Sequence, residues 1–324
     1  MSAAQTLFVV VGALALEATF GYPDWLYQRI GHPVSWIGRL ISLLDRKLNI
    51  ESDSATVRRN KGILALGILI VVTGAVAWTV EQVFDRVAFG AFFIALLAST
   101  LIASRSLYDH VVAVARSLDQ YGLDDARQAV GRIVGRNPKT LDEHGVARAA
   151  IESLAENASD GIVAPVFWFA IFGLPGLVVY KAINTADSMI GHRTPRHEAF
   201  GWAAARLDDL VNLPASRLTA VLLAIASVFT QGASVAGALE TVARDASKHR
   251  SPNAGWPESA IAGALGLKLN GPKTYGETRV EDAYMGDGRR DATAEDVRAA
   301  LRLTTTAWGI MTGALLLLAI ILPA

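Results

Sequence analysis

The chain has 324 residues, of which 52% are hydrophobic and 19% charged, and its formal net charge at pH 7 is zero. The composition is slightly more apolar than that of an average soluble domain, and the zero net charge argues against a general polyanion-binding surface. The chain contains no cysteine, which excludes disulfides, iron–sulfur clusters and thiolate zinc sites and leaves carboxylate, amide and imidazole groups as metal ligands.

Four apolar runs approach the length of about 20 residues that a helix needs to cross a bilayer. They occupy approximately residues 4–20, 62–80, 88–104 and 306–323. The first run lacks a basic n-region and a small-residue cleavage site, so we interpret it as a retained span and not as a signal peptide. The second and third runs are joined by a short polar turn and predict a helical hairpin.

Two further apolar runs, 162–183 and 218–239, leave alternatives open, because each has the length to span, to re-enter the membrane or to form a core helix. The first contains two prolines and a Gly-Leu-Pro-Gly break, and the second contains Gln231 and several small residues. Irregular backbone at membrane depth is tolerated only where it is buried in protein or faces a cavity. We therefore expect a discontinuous or re-entrant segment near 162–183.

Two long polar connections, residues 21–61 and 105–148, each hold seven Lys or Arg residues, whereas the turn between the second and third runs has only Arg86. The positive-inside rule places both connections in the cytoplasm and the tip of the hairpin outside. The pattern predicts an all-α fold, namely a polytopic membrane helical bundle with long cytoplasmic helical loops. We expect a single domain over residues 1–324.

Three carboxylates, Glu152, Glu156 and Asp160, precede the broken run at i, i+4 and i+8 spacing, with Asn157 alongside. In a helix they would share one face, and no interleaved Lys relieves their repulsion. A divalent cation with a preference for oxygen ligands, Mg²⁺ above all, would relieve it. The alternative is an exposed acidic face at a membrane boundary.

A second polar group follows the same run. Asn184 and Asp187 lie at i, i+3 spacing, and Gly191 allows a turn before His192 and Arg193. Arginine is suited to bidentate binding of phosphate or carboxylate. The alternative is a helix C-terminus with ordinary charges that complement its dipole.

Several other polar residues could serve either a structural or a functional role. Arg206 with Asp209, and Arg105 with Asp109, have the spacing of helical ion pairs. The neighbouring Asp208 and Asp209 are a metal indication of low specificity. Asn253 lies in a Pro- and Gly-containing loop of the kind that clasps ligands with backbone groups.

Nucleotide-binding and hydrolase motifs with Walker, G-x-G-x-x-G, G-x-S-x-G or H-E-x-x-H patterns are missing from the sequence. Any nucleotide must therefore bind to a different phosphate cradle. Nothing in the sequence indicates nucleic-acid binding.

Segments distributed over nearly the whole chain resemble the CobD/CbiB family of adenosylcobinamide-phosphate synthases, which act in cobalamin biosynthesis. Four matches are Ala155–Pro165, Asn184–Gly191, Phe200–Asp209 and Ser251–Pro257, and two others, nearer the N-terminus, are His32–Arg39 and Ser104–His110. The resemblance implies a multi-pass enzyme of the bacterial or archaeal inner membrane.

The resemblance also implies a reaction. Such enzymes join (R)-1-amino-2-propanol, or its O-phosphate, to a carboxylate of adenosylcobyric acid, with ATP and Mg²⁺. A carboxylate does not react with an amine at neutral pH, so we expect activation as an acyl phosphate, which requires positioning and charge neutralisation. The implied partners are the corrinoid, the amine, the lipid bilayer and neighbouring cobalamin-assembly enzymes.

In that chemistry, the polar residues suggest three sets of roles. The metal ligands would be Glu152, Glu156, Asp160 and Asp187. The catalytic residues would be Glu156, Asp160, Asp187, Asp208 and His192. Substrate or phosphate would be bound by Arg105, Asn157, Asn184, Arg193, Arg206 and Asn253. This arrangement requires the two polar groups on either side of 162–183 to lie on one side of the membrane, with the active site facing the cytoplasm.

The alternative is a non-catalytic corrinoid-binding scaffold or a transporter, because broken helices with polar residues at membrane depth also occur in secondary transporters. No internal repeat supports a transporter.

Overall fold

The computed structural model describes residues 1–23, 25, 28, 29, 31–135, 137–192, 194–275 and 278–323. The chain forms two compact units. The first comprises Met1–Ala103, Ala164–Asn212 and Leu315–Ala324, and the second comprises Ser104–Val163 and Leu213–Ala314. The prediction of a single domain stays a prediction.

The described residues are mainly helical. The α-helices are α1 (Ala3–Phe20), α2 (Pro33–Leu48), α3 (Ala55–Phe84), α4 (Gly90–Ser99), α5 (Ser104–Gln120), α6 (Leu123–Val130), α7 (Glu143–Ala158), α8 (Ala164–Ile190), α9 (Trp202–Ala226), α10 (Val235–Asp245), α11 (Gly255–Ala264) and α12 (Ala294–Ile321). A π-helical turn, Ser159–Val163, joins α7 to α8, and 3₁₀ turns occupy Pro138–Thr140 and Ala246–Lys248.

Four short strands, which the sequence did not predict, form two antiparallel pairs in the second unit. They are β1 (Leu269–Asn270), β2 (Lys273–Tyr275), β3 (Thr278–Val280) and β4 (Tyr284–Met285). β1 pairs with β4, with Asn270 opposite Tyr284, and β2 pairs with β3. These pairs are small, and the predicted all-α class is confirmed.

Within the described residues, six helical stretches are long and apolar enough to cross a membrane. They are Ala3–Phe20, Ala55–Phe84, Gly90–Gln120, Glu143–Ile190, Trp202–Ala226 and Ala294–Ile321. The chain is therefore a multi-pass membrane protein with a helical bundle. The predicted spans 4–20, 62–80 and 306–323 coincide with such helices, whereas 88–104 is interrupted, because α4 ends at Ser99 and α5 begins at Ser104. That these segments cross the membrane at the predicted bounds stays a prediction.

The bounds predicted for the apolar segment 218–239 are wrong. Helix α9 ends at Ala226, and α10 begins at Val235 with Ser234 as its N-cap. Between them Gly232 has a φ of +80°, which turns the chain. The apolar helix instead begins at Trp202. It includes the polar residues Arg206 to Asn212, which precede the predicted segment.

The expected break near 162–183 lies at Gly173, and the segment is discontinuous. Gly173 has φ 65° and ψ −158°, which only glycine adopts readily, within the otherwise helical α8. The Glu81 carboxylate on α3 accepts a hydrogen bond of 3.2 Å from the Leu174 backbone N–H, one of the donors that the break leaves without a helical partner. The break is thus stabilised by a side chain of the neighbouring helix.

The core of the first unit lies among α2, α3, α8 and the start of α9. Its buried members include Ile41, Leu69, Ala186 and Phe200. A Cβ atom at Gly62 would lie 1.9 Å from the Phe200 carbonyl oxygen. The backbones of α3 and of the segment at Phe200 can therefore approach this closely only because residue 62 is a glycine. This packing holds the segment that precedes α9 against α3.

In the second unit, α10 and α11 pack closely at two facing glycines. A Cβ at Gly237 would lie 2.4 Å from the Gly263 carbonyl oxygen, and one at Gly263 would lie 2.0 Å from that of Gly237. The pair brings together the backbones that carry Asp245 and the Asn253 loop.

Candidate active site

The centre of the polar cluster in the first unit is Asp208 on α9, which is only 8% exposed. Asn184 on α8 donates to Asp208 Oδ1 at 3.3 Å, and Asn212 donates to Asp208 Oδ2 at 3.0 Å. The buried Tyr180 hydroxyl donates to Asn212 Oδ1 at 2.8 Å. Both oxygens of one carboxylate are therefore oriented by amides on two helices.

Two further carboxylates, Asp187 and Asp209, lie close enough to interact electrostatically with Asp208, and their like charges repel it. His192, at the exposed end of α8, interacts favourably with Asp187. Arg206 forms an ion pair with Asp209 at 3.7 Å, the helical pair expected from the spacing. The structure thus brings together Asn184, Asp187, His192, Arg206, Asp208 and Asp209, which the sequence had singled out as separate groups. Arg193 lies outside the described residues.

Within the part of the chain that the structure describes, no three His, Asp or Glu side chains are arranged to hold a metal ion by themselves. Mg²⁺ in phosphoryl-transfer sites is typically held by one or two carboxylates together with substrate phosphates. Asp187 and Asp208 fit that smaller donor set, since they are adjacent carboxylates on two helices. Arg206 contacts Asp209 at the edge of this cluster.

The predicted acidic face of α7 differs from its expected form. Glu152 and Glu156 lie on α7, but the α-helix ends at Ala158, and Asp160 lies in the π-helical turn. Glu152 is 7% exposed, whereas Glu156 is on the surface. The π-turn therefore interrupts the regular i, i+4, i+8 spacing at Asp160. That the three carboxylates share one face stays a prediction.

Glu152 and Asn157 have structural contacts within the second unit. Glu152 Oε1 accepts a hydrogen bond of 2.9 Å from the Asn270 backbone N–H. Asn157 donates to the Ser153 carbonyl oxygen at 2.9 Å. Glu152, Glu156, Asn157 and Asp160 belong to the second unit, while Asn184 to Asp209 belong to the first. That these groups meet on one side of the membrane stays a prediction.

Two other candidate substrate ligands also have structural contacts in the second unit. Arg105 donates to Asp109 at 2.9 Å in the expected exposed ion pair. The buried Asn253 accepts hydrogen bonds of 3.2 Å from Ser216 and from Arg217 on α9. Asn253 therefore fastens its loop to α9, and its role toward a substrate stays a prediction.

Asp245, which the sequence reasoning missed, is the centre of a charged cluster at the end of α10. Burial by itself would raise its pKa, but hydrogen bonds from Arg244, Lys248 and the Gly286 backbone N–H outweigh this effect and lower the pKa of Asp245 to about 2. The carboxylate joins α10 to the β4 turn and has a structural function.

The sequence reasoning also missed Tyr180 as a partner of the site and assigned Asn212 no role. A signal for both was present. Tyr180 precedes Asn184 by four residues, and Asn212 follows Asp208 by four, so each pair shares a helix face. Only the packing of α8 against α9 shows that the two faces meet.

Comparison with known proteins agrees with the motifs. The CobD/Cbib protein family model matches residues 10–304. Similar proteins named cobalamin biosynthesis protein CobD occur in Rhizobium meliloti (48% identity, 95% of each chain), Rhodobacter capsulatus (48%, 94% of each) and Brucella anthropi (49%, 95% of each). No solved structure is significantly similar to the chain. The resemblance seen in the sequence is confirmed, and the chain belongs to the CobD/Cbib family.

Proposed function

We propose that this protein acts in cobalamin biosynthesis as an adenosylcobinamide-phosphate synthase. It would form an amide between a carboxylate of adenosylcobyric acid and (R)-1-amino-2-propanol or its O-phosphate. The observation that carries the proposal is family membership over residues 10–304. The buried carboxylate and amide cluster around Asp208 supports it, because such clusters at membrane depth are costly and usually functional.

The amide requires two steps. The corrin carboxylate attacks the γ-phosphorus of ATP, which forms an acyl phosphate and releases ADP. The amine nitrogen then attacks the acyl carbon, loses a proton to a general base, and phosphate leaves. Mg²⁺, when bound with ATP, would neutralise the charge of the phosphates.

The chain's own residues would position the reactants and move the proton. Asp187 and Asp208 would hold the magnesium ion, and Asn184 would orient Asp208. His192, beside Asp187 and exposed, would take the proton from the amine, with Asp208 as the other candidate base. Arg206, near the start of α9, and Arg193 would bind phosphate groups.

The remaining roles concern the second unit. Glu152, Glu156 and Asp160 would contribute carboxylates to the metal or the reaction, and Arg105, Asn157 and Asn253 would contact substrate. The protein would reside in the cell inner membrane with this site facing the cytoplasm, where ATP and the corrinoid are available.

The direct test is turnover. Purified protein in detergent, supplied with adenosylcobyric acid, aminopropanol phosphate and Mg-ATP, should release ADP and a corrinoid heavier by the amine. Glu156→Ala, Asp160→Ala and Asp187→Ala should each abolish the product while leaving membrane insertion intact. The exposed Asp125→Asn is a matched control and should retain wild-type turnover. Wild-type turnover in all three variants would contradict the proposed roles.

The same assay separates the alternative functions. A corrinoid-binding scaffold or a transporter would bind the corrinoid but release neither ADP nor a heavier product. Reconstitution in vesicles then distinguishes these two, because only a transporter would accumulate labelled corrinoid in the lumen.

A further inference from the structure

A polar cleft of about 350 Å³ lies within the second unit. It is formed where the 3₁₀ turn Pro138–Thr140, the first half of α7 and strand β1 come together. Its lining includes two guanidinium groups, Arg148 and Arg290, and two carboxylates, Asp142 and Glu152. Ligand pockets in proteins have volumes of about 300–1,000 Å³, so this cleft suits a small molecule.

The two arginines are held at the wall of the cleft. A guanidinium nitrogen of Arg148 donates to the backbone carbonyl oxygen of Arg290. The Arg290 guanidinium carbon lies 5.1 Å from the centre of the Tyr284 ring, which Lys268 also contacts, at 4.7 Å. Guanidinium groups bind phosphate in a planar, bidentate way. An anionic group in the cleft would therefore have two suitable donors.

Asn270, also in the lining, supplies a second and independent indication of a ligand. It is 4% exposed and has a φ of +55°, an uncommon value for a residue other than glycine. Its backbone N–H donates to Glu152 and its side-chain nitrogen donates to the Ala283 carbonyl oxygen. Its Oδ1 atom has no hydrogen-bond partner among the described residues. A buried acceptor without a donor is costly, and a ligand hydroxyl or ammonium would satisfy it.

The charges of the lining select against a polyanion. Glu152 and Asp142 offset the two arginines, and Asp142 also accepts a hydrogen bond of 2.7 Å from the Gly145 backbone N–H at the start of α7. A balanced set of charges in a small cleft suits a small zwitterion better than a triphosphate.

We propose that this cleft binds the phosphate group of a small ligand that also carries an ammonium or hydroxyl group. The identity of this ligand rests on the proposed function, from which we assign it as the phosphorylated amine substrate. Arg148 and Arg290 bind its phosphate, and the Asn270 Oδ1 atom accepts a hydrogen bond from its other end.

Isothermal titration of the purified protein in detergent with aminopropanol phosphate, aminopropanol and ATP tests this assignment. Arg290→Ala should weaken binding of aminopropanol phosphate at least tenfold, and Arg290→Lys, which keeps the charge and loses the planar fork, should weaken it less. Asn270→Gly tolerates the positive φ, removes the acceptor together with the hydrogen bond to the Ala283 carbonyl oxygen, and should weaken binding several-fold. The exposed Arg116→Ala, elsewhere in the same unit, should bind like wild type.

Unchanged affinity for aminopropanol phosphate in both Arg290→Ala and Asn270→Gly would overturn the assignment, as would no binding of this ester by the wild type. If only ATP binding responded to the variants, the cleft would be a nucleotide site and the ester assignment would be wrong. Wild-type binding without amide formation would count against the proposed function alone. Amide formation with unchanged affinity in the variants would count against the cleft alone.

Discussion

Asn212, which donates a hydrogen bond to Asp208, itself accepts one from the buried Tyr180 hydroxyl. Tyr180→Phe removes the hydroxyl that donates to Asn212 Oδ1, and the amide oxygen is left buried with one donor fewer. We expect a loss of about 1–3 kcal/mol in the free energy of unfolding, measured as a lower melting temperature in detergent. Tyr121→Phe, at an exposed position, is the control. Equal melting temperatures for the two variants would show that this hydrogen bond contributes little.

Asp245 makes stability depend on pH in the acidic range. Its folded-state pKa of about 2 lies below its ordinary value of 3.8, so the unfolded chain binds the proton more tightly. The resulting stabilisation, roughly 2 kcal/mol, is fully present above about pH 4 and is lost as the pH falls toward 2. Melting temperatures are measured from pH 7 to pH 2. Below pH 4 they should decrease less steeply in Asp245→Asn than in the wild type.

The matched control for this prediction is Asp287→Asn. Asp287 also accepts a hydrogen bond from Arg244, but its side chain is 80% exposed, and exposed pairs contribute little. Its profile should follow that of the wild type. An Asp245→Asn profile that is parallel to the wild type throughout would contradict the assignment.

At the scale of a single helix, the break in α8 depends on Gly173. A Cβ atom there would lie 2.4 Å from a Glu81 carboxylate oxygen, and the backbone conformation is restricted to glycine. Gly173→Ala should therefore destabilise the protein by about 1–3 kcal/mol. Gly67→Ala, in the helical α3 with no heavy atom within 4 Å of the new Cβ, should be neutral or stabilising by up to about 1 kcal/mol. Thermal unfolding of both variants in detergent measures the difference, and equal melting temperatures would contradict it.

For the whole molecule, the prediction that can be tested most directly is its orientation in the membrane. The chain lacks cysteine, so single cysteines report topology without background. We expect Val87→Cys, in the turn between α3 and α4, to react with an impermeant thiol reagent in intact cells. Ser52→Cys and Asp125→Cys should react only after permeabilisation, because basic connections remain in the cytoplasm. The reverse labelling pattern would contradict the predicted orientation.

The lengths of the apolar runs alone identified the class of the protein as a helical, multi-pass membrane protein, because hydrophobic thickness and backbone hydrogen bonding leave few other solutions. The order of the motifs alone identified the family. The sequence also located the break near 162–183, since its Pro and Gly residues disfavour a continuous helix. These features depend on local composition and therefore need no knowledge of long-range contacts.

Only the tertiary structure decided which polar groups meet. Asn184 and Asp208 are 24 residues apart and come together because α8 packs against α9. A π-turn that contains Asp160 follows Ala158 and interrupts the regular α-helical spacing of the three carboxylates. Glu152 accepts a hydrogen bond from the backbone of Asn270, 118 residues away in sequence. A hydrogen bond between distant residues depends on how helices pack, and periodicity within one helix does not specify its partner.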